Sequence, residues 1–129
     1  MDLITIERKS DLAFSIRVRG HEVTSDMAQE DGGRDHGLSP KELLAGSLGT
    51  CVAMMVQSYC QRHGYDGDVE VSLTVELADK PKRVGRIVAD VELPEGIPEE
   101  KKEAIRRVAQ RCPIHETLRN PPELDIELV

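Results

Sequence analysis

Residues 37–54 decide the fold, and they read GLSPKELLAGSLGTCVAM. Ser39 and Pro40 are typical of a helix N-cap followed by a proline in the first turn. Apolar residues then recur with helical spacing, at Leu43, Leu44, Leu48, Val52, Met55, Val56 and Tyr59. This pattern predicts a long helix that runs to about Arg62 and ends at Gly64. Because small residues share its circumference with the apolar ones, we expect the helix to be buried and closely approached by other backbones.

Alternation of apolar and polar residues predicts strands on both sides of this helix. In chain order, the predicted strands occupy residues 3–8, 14–19, 22–25, 69–77, 87–93 and 124–128. The first three are expected to form an antiparallel meander whose first two strands are half-buried. The strand at residues 69–77 pairs with the one that follows it. Residues 27–37 are rich in glycine and charge, and they are predicted to form a loop.

Prolines mark the remaining helices. Pro98 opens a helix that has acidic residues in its first turn and extends through Arg111. Pro113 interrupts this helix and begins a short one at residues 113–118. The order of elements predicts an α+β fold, and the length of the chain fits a single domain spanning residues 1–129.

The charge balance and the N-terminus bear on partners and location. The chain carries 24 acidic and 17 basic residues, for a formal net charge of −7. Because the basic residues are scattered among acids, nucleic acid is not expected as a partner. The N-terminus lacks the basic start and apolar run of a secretory signal, and no apolar run is expected to approach membrane-spanning length. These features predict a cytoplasmic protein with no membrane partner, in which cysteines are buried, metal-bound or redox-active.

Two of the three cysteines occupy positions suited to redox chemistry. Cys51 lies inside the apolar helix, and Cys112 directly precedes Pro113, which places it at or near a helix N-cap. Unpaired N–H groups and the helix dipole favour a thiolate there. A cysteine peroxidase needs a thiolate that attacks the O–O bond and a second thiol that condenses with the resulting sulfenic acid. Cys51 and Cys112 can supply both; the plainer alternative is that all three cysteines are small buried hydrophobes.

Cys60 differs from the other two cysteines. It follows Cys51 by nine positions, and at about 100° per residue it lies about half a turn around the helix, so we expect it to be structural. A rival hypothesis is zinc, because Cys60 with His63 and Cys112 with His115 form two Cys-x-x-His pairs. Structural zinc sites usually lie in knuckles or loops, whereas the first of these pairs falls within a helical run.

Residues 37–54 closely resemble the cysteine helix of the OsmC/Ohr family, the osmotically inducible and organic hydroperoxide resistance proteins. The stretch Arg111-Cys112-Pro113-Ile114 resembles the second cysteine motif of that family, and the order of elements is similar over the whole chain. The resemblance implies the OsmC-like fold, with antiparallel sheets packed around a long buried helix. It also implies an intertwined homodimer with active sites at the subunit interface.

The resemblance further implies an activity. Cys51 would be the peroxidatic thiol and Cys112 the resolving thiol in the reduction of organic hydroperoxides or hydrogen peroxide, with no metal or flavin cofactor. The leading hypothesis is therefore a thiol peroxidase in which an external dithiol reductant restores both cysteines. A second hypothesis is a non-enzymatic redox sensor or small-molecule binding module of the same fold, and a third is a zinc-binding structural protein.

One departure from the family pattern concerns the carboxylate of the site. In the organic hydroperoxide reductase branch, a carboxylate directly follows the proline and pairs with an arginine that polarises the peroxidatic sulfur. Here Lys41 follows the proline and Glu42 comes one position later, as in the broader OsmC-like branch. Glu42 is predicted as a third site residue, and the plain alternative is a first-turn acid favoured by the helix dipole. Three candidates compete for the role of the arginine: Arg8, Arg17 and Arg34.

Overall fold

The first three predicted strands form one antiparallel sheet in the computed structural model, which describes residues 1–129. They are β1 (Thr5–Ser10), β2 (Ala13–Val18) and β3 (His21–Ser25). Ile16 in the middle strand lies opposite Ile6 on one side and Val23 on the other, so the apolar residues of neighbouring strands share a face. The predicted meander is confirmed, and it belongs to a compact unit formed by Met1–Leu44.

β1 is exposed along its whole length, so the prediction that it is half-buried is wrong. Its Ile6 is 58% exposed, whereas Ala13 and Ser15 in β2 are buried. Alternation shows that a strand has one face suited to burial, but another layer must cover that face. This chain supplies no such layer over β1.

One buried carboxylate organises the loop that precedes the long helix. The side chain of Asp26 is only 1% exposed. Its carboxylate oxygens accept hydrogen bonds from the backbone nitrogens of Met27 at 2.7 Å, Arg34 at 3.3 Å and His36 at 3.1 Å. Burial by itself would raise the pKa of Asp26, but these N–H donors and the nearby His36 ring bring it below its ordinary value of 3.8. The predicted loop is thus held in a defined shape around Asp26.

Asp26→Asn is expected to destabilise the protein at neutral pH, because an amide nitrogen cannot accept the N–H groups that a carboxylate oxygen accepts. A lowered pKa means that the ionised carboxyl stabilises the folded state above pH 3.8, and this contribution is lost as the pH falls through the lower folded-state pKa. The urea midpoints of the variant and the wild type should therefore differ at neutral pH and converge as the pH falls through the lowered pKa of Asp26. Asp35→Asn is the matched control, since Asp35 is an exposed acid of the same loop. Equal midpoints for Asp26→Asn and the wild type at neutral pH would contradict this role.

The predicted central helix is α1 (Pro40–Arg62). It ends as predicted before Gly64, which has a φ of +73°. One side of the helix is buried, through Ala45, Leu48, Gly49, Val52, Val56 and Cys60. An added Cβ at Gly49 would lie 2.5 Å from the Cδ1 of Leu73, so the Leu73 side chain would have to shift to admit a larger residue there. The opposite side is more open, and Met54 there is 67% exposed.

By length and composition alone, α1 could cross a membrane, since an 18-residue window within it has a mean hydropathy of 1.4. The expectation that no apolar run approaches membrane-spanning length is therefore wrong. The buried side of α1 nevertheless contributes Leu48, Val52 and Val56 to the apolar core of the protein. A core helix can have the same length and composition as a membrane-spanning one, and 33% of this window is buried inside the chain.

The second compact unit is formed by Ala45–Val129. Its sheet is an antiparallel hairpin of β4 (Glu70–Ala78) and β5 (Arg83–Glu92). β5 begins at Arg83 instead of residue 87, because the pairing continues past a register shift next to Leu77. Such an irregularity interrupts the alternation from which strands are predicted, and the early part of β5 was missed for this reason.

Two helices follow this hairpin. They are α2 (Lys102–Gln110) and α3 (Pro113–Arg119). A 3-10 turn at Glu99–Lys101 precedes α2, so the first turn of the predicted helix at residues 98–111 is not α-helical. Ile105 of α2 joins the core, which is otherwise built from aliphatic residues of α1 and the two buried cysteines.

The C-terminal segment, residues 121–129, has no regular secondary structure. The predicted strand at residues 124–128 is therefore wrong for the single chain. Leu124, Ile126 and Leu128 alternate with acids as a strand would require, yet they are 83%, 93% and 97% exposed. A strand forms only where another strand accepts and donates its backbone hydrogen bonds. In this chain, no strand pairs with the segment.

Candidate redox site

The structure brings Cys51 and Cys112 together. Cys51 lies on α1 and is partly exposed, whereas Cys112 precedes α3 and has no exposed surface. Both are free thiols, and they lie close enough together for Cys51 to raise the pKa of Cys112. Two thiols that lie next to each other are the arrangement from which a disulfide forms.

Cys112 is the N-cap of α3, as predicted, and Pro113 occupies the first helical position. The Sγ of Cys112 accepts the backbone N–H of His115 at 3.4 Å. Burial, followed by the neighbouring Cys51 thiol, raises the pKa of Cys112 above the ordinary thiol value, although the N–H groups of His115 and Ile114 act in the opposite direction. The N–H groups at the N-cap favour a thiolate as predicted, but burial outweighs them. The prediction is therefore wrong for the overall change in the pKa of Cys112, which is raised.

Cys60 is fully buried on the core side of α1. Burial raises the pKa of its thiol, so this sulfur is a poor nucleophile at neutral pH. These properties fit the expected structural role, and they leave Cys51 and Cys112 as the thiols that contact each other.

The residues of the zinc hypothesis do not form a metal-binding group. His63 stacks on Tyr59 with 3.9 Å between ring centroids, and its Nδ1 lies 2.8 Å from the carbonyl oxygen of that residue. No group of three or more His, Cys, Asp or Glu side chains in the chain is arranged to hold a metal ion. Two Cys-x-x-His pairs alone cannot make a tetrahedral site when they do not meet, so the geometry does not support this hypothesis.

Glu42 forms a capping box with Ser39 at the start of α1. Its Oε1 accepts the backbone N–H of Ser39 at 2.9 Å, and its own N–H donates to the Ser39 hydroxyl at 3.3 Å. These hydrogen bonds, the backbone one first, lower the pKa of Glu42 despite the opposing effect of burial. The carboxylate therefore caps the helix and remains ionised at neutral pH.

The three candidate arginines all have partners within the meander. Arg8 donates from Nε to the carbonyl oxygen of Asp11 at 2.7 Å. Arg17 forms ion pairs with Glu7 at 3.3 Å and Glu22 at 3.5 Å. Arg34 forms an ion pair with Asp11 at 2.9 Å. No one of the three is distinguished as a free cation, so the choice among them stays open.

His115 lies next to Cys112, the N-cap of α3, a position that the sequence did not single out. The sequence assigns His115 no role beyond that of a surface or cap residue or a possible zinc ligand, yet its backbone N–H donates to the sulfur of Cys112 and the residue lines a cavity of about 710 Å³ between α1, β5 and α2. A signal was present, because His115 is the third residue after an N-cap, where side chains commonly turn back towards the cap.

The OsmC-like protein family model matches residues 32–127, which is more than half of the chain and includes both cysteine motifs. The chain belongs to the OsmC-like protein family. The resemblance seen in the sequence and the predicted α+β fold are thereby confirmed. A comparison of this OsmC-like chain with curated proteins finds no match.

Solved structures share the fold of this OsmC-like chain. An OsmC-like protein from Mycoplasma pneumoniae is 20% identical with a TM-score of 0.79, covering 94% of this chain and 89% of that one. The organic hydroperoxide resistance protein OhrB of Bacillus subtilis is 19% identical with a TM-score of 0.65, covering 92% of each chain. An organic hydroperoxide resistance protein OsmC from Legionella pneumophila is 18% identical with a TM-score of 0.62, covering 91% and 89%. At such identities the similarity establishes the fold.

Proposed function

We propose that this OsmC-like protein is a thiol-dependent peroxidase that reduces organic hydroperoxides or hydrogen peroxide through Cys51 and Cys112. The observation that carries the proposal is the proximity of the two thiols, one partly exposed and one fully buried. Two structural neighbours are named organic hydroperoxide resistance proteins, which agrees with this chemistry.

Cys51 is the more accessible thiol, and it is therefore the one that meets the peroxide. Its thiolate attacks one peroxide oxygen, the O–O bond breaks, and the other oxygen leaves as an alcohol or water after taking a proton. The sulfenic acid on Cys51 then condenses with the Cys112 thiol, forming the S–S bond and releasing water. An external dithiol reduces this disulfide and is itself oxidised to a disulfide.

The proposed assembly is a homodimer in the cytoplasm. β1, the open side of α1 and the C-terminal segment together leave several large apolar side chains exposed, among them Ile6, Met54 and Ile126. Exposed apolar surface of this kind is typical of proteins that associate. The three free thiols suit a reducing compartment, in which dithiols that could restore the pair are present.

Glu42 is proposed as a third site residue, in addition to capping α1. Glu42→Gln tests this role, because glutamine can keep the capping box but removes the negative charge. We expect the rate of sulfenic acid formation to fall by roughly tenfold to a hundredfold, while the thermal unfolding midpoint falls no further than it does in Ser39→Ala. Stopped-flow kinetics and calorimetry measure the two quantities. A wild-type rate in Glu42→Gln would limit Glu42 to the cap, and Ser39→Ala, which weakens the cap but keeps the charge, is the matched control.

The function is tested directly by a panel of hydroperoxides with mass spectrometry of the cysteines. Organic hydroperoxides and hydrogen peroxide should convert the Cys51–Cys112 pair to a disulfide, while Cys60 stays reduced. Oxidation that spares Cys51, or that produces no disulfide with any peroxide, would reject the proposal.

A slow redox sensor is the second candidate function. It is favoured by the raised pKa of Cys112, which slows the condensation step at neutral pH, and by the Lys41-Glu42 order at the start of α1. Stopped-flow oxidation distinguishes the two functions: a Cys51 thiol that reacts no faster than free cysteine indicates a sensor, and a much faster reaction indicates a peroxidase.

A further inference from the structure

We propose that the cavity between α1, β5 and α2 binds an amphipathic amine, a small molecule with an apolar body and one positively charged nitrogen. The proposal goes beyond the redox chemistry put forward above and does not rest on it, because neither Cys51 nor Cys112 lines this cavity. Three observations carry it: the size and apolar walls of the cavity, the sign of the charge left unpaired around it, and a buried nitrogen of His115 that has no partner.

The size and walls of the cavity suit a small organic ligand. Its volume is about 710 Å³, which lies within the range of sites that bury most of a drug-sized molecule. Apolar side chains come from all three elements, with Val52 and Val56 from α1, Val91 from β5 and Ile105 from α2. These four residues belong to the hydrophobic core or pack against it. The apolar part of a ligand that enters the cavity therefore leaves water for an apolar surface that is already formed.

Two positively charged residues line the cavity, and both already have carboxylate partners. Lys102 contacts Glu99 at 2.8 Å, and Arg106 contacts Glu103 at 3.8 Å. Neither of these two glutamates lines the cavity. The cations are therefore engaged by acids outside the cavity, and these neighbouring carboxylates offset their charge.

Two negatively charged residues also line the cavity, and neither has a cationic partner. Asp90 lies in β5, and Glu95 follows that strand. No ion pair of the structure includes either residue. Because the cations are paired and the acids are not, the charge left unpaired around the cavity is negative. A ligand with a positive group complements this charge, whereas a carboxylate is repelled by it.

A nitrogen of His115 offers the positive group a hydrogen-bond partner. His115 lines the cavity, and its Nδ1 is buried without a hydrogen-bond partner. The carboxylate of Glu116 lies 3.7 Å from this nitrogen. A buried polar atom without a partner is costly, so its retention calls for an explanation. One nitrogen of a neutral histidine ring accepts hydrogen bonds, and an ammonium both donates such bonds and carries the charge that Glu116 attracts.

The three observations together specify one class of ligand. The apolar walls select an apolar body, the unpaired acids select a positive charge, and the unpaired nitrogen selects a group that can donate hydrogen bonds. A primary amine on a hydrocarbon chain has all three properties. A fatty acid of the same length has the opposite charge, and an alkanol has no charge, so these two molecules separate the contribution of charge from that of the apolar body.

Calorimetric titration of the whole, reduced chain with n-hexylamine, n-octylamine and n-decylamine tests the proposal. Each amine, used below the concentration at which it forms micelles, should bind as one molecule per chain. The affinity should rise about fourfold with each added CH₂ group until the cavity is full. n-Octanoate should bind at least about tenfold more weakly than n-octylamine, with n-octanol between them. Added salt should reduce the difference between the amine and the acid, because it screens exposed charges.

Substitutions that fill the cavity locate the site of binding. Ala89 of β5 and Ala109 of α2 both line the cavity, so Ala89→Leu and Ala109→Leu should each weaken n-octylamine binding by about tenfold or more. Ala104→Leu is the matched control, because Ala104 lies on the same helix as Ala109 but does not line the cavity. Circular dichroism checks the fold of each variant. Ala89 is exposed, so Ala89→Leu keeps the test decisive if Ala109→Leu does not fold.

Removal of the unpaired acids tests the sign of the charge. Asp90→Asn combined with Glu95→Gln should weaken n-octylamine binding about fivefold and leave n-octanol binding unchanged. Glu92→Gln, at an exposed acid of β5 that does not line the cavity, is the control. Octanoate that binds as tightly as octylamine, binding that does not saturate, or wild-type affinity in Ala89→Leu would overturn the proposal. No oxidant is present, so this result is independent of the peroxidase tests.

Discussion

Cys51→Ser is expected to abolish hydroperoxide reduction, with a fall in rate of about a thousandfold or more, as seen when an enzyme loses its nucleophile. The chemistry depends on sulfur, because a serine oxygen cannot take the sulfenic oxidation state that follows cleavage of the O–O bond. Cys51 is also the partly exposed member of the pair, so Cys112 cannot easily replace it. Consumption of a hydroperoxide in the presence of an excess of dithiol measures the rate. Full activity in Cys51→Ser would reject the assignment.

Cys112→Ser should separate the two thiols. Without a resolving partner, Cys51 is expected to react once and remain as a sulfenic acid, which dimedone labels and mass spectrometry detects. Cys60→Ala is the matched control: this cysteine is fully buried on the core side of α1, so its loss should leave turnover and disulfide formation unchanged. A Cys112→Ser protein that still forms an intramolecular disulfide at the wild-type rate would identify Cys60 as the resolving thiol.

Elements with local signals were predictable from the sequence. The Ser39-Pro40 start, the apolar spacing that follows and the stop before Gly64 are all determined by residues close in the chain, and α1 has the predicted bounds. The meander and the position of Cys112 at an N-cap follow from equally local patterns. The pairing of Cys51 with Cys112 was suggested by a family resemblance, since no periodicity connects distant parts of a chain.

Properties that depend on packing were predicted less well. The direction of the Cys112 pKa depends on how completely the core surrounds the sulfur, and a cap signal carries no information about that. The hydrogen bonds of the buried Asp26 carboxylate depend on three backbone N–H groups that converge only when the loop is folded. Burial of β1 was predicted from alternation, yet a pattern in one strand does not provide the layer that covers it.

The C-terminal segment provides the second large expected effect, which concerns assembly. Leu124, Ile126 and Leu128 alternate with Asp125 and Glu127, as in a strand with one apolar face. In the single chain these three side chains are almost fully exposed and the segment pairs with no strand. We expect the segment to pair with a sheet edge of a second copy, because that satisfies its backbone and buries its apolar face.

Replacing Leu124, Ile126 and Leu128 together by serine should therefore convert the proposed dimer to a monomer. Burial of one such side chain contributes about 1.5 to 3 kcal/mol, so the loss of three raises the dissociation constant by about a thousandfold or more. Analytical ultracentrifugation over a range of protein concentrations measures this change. The control replaces Asp125 and Glu127 by serine, which removes charge from the other face and should leave the dimer intact.

The result also bears on the redox site. Circular dichroism should show that the triple variant keeps α1 and its core, because none of the three side chains is buried in the single chain. If the active site needs a second copy, peroxide turnover should fall together with dimerisation and recover at high protein concentration. A dimer of unchanged stability in the triple variant, or a wild-type protein that is monomeric at all concentrations, would show that the alternation in this segment does not mark a strand between subunits.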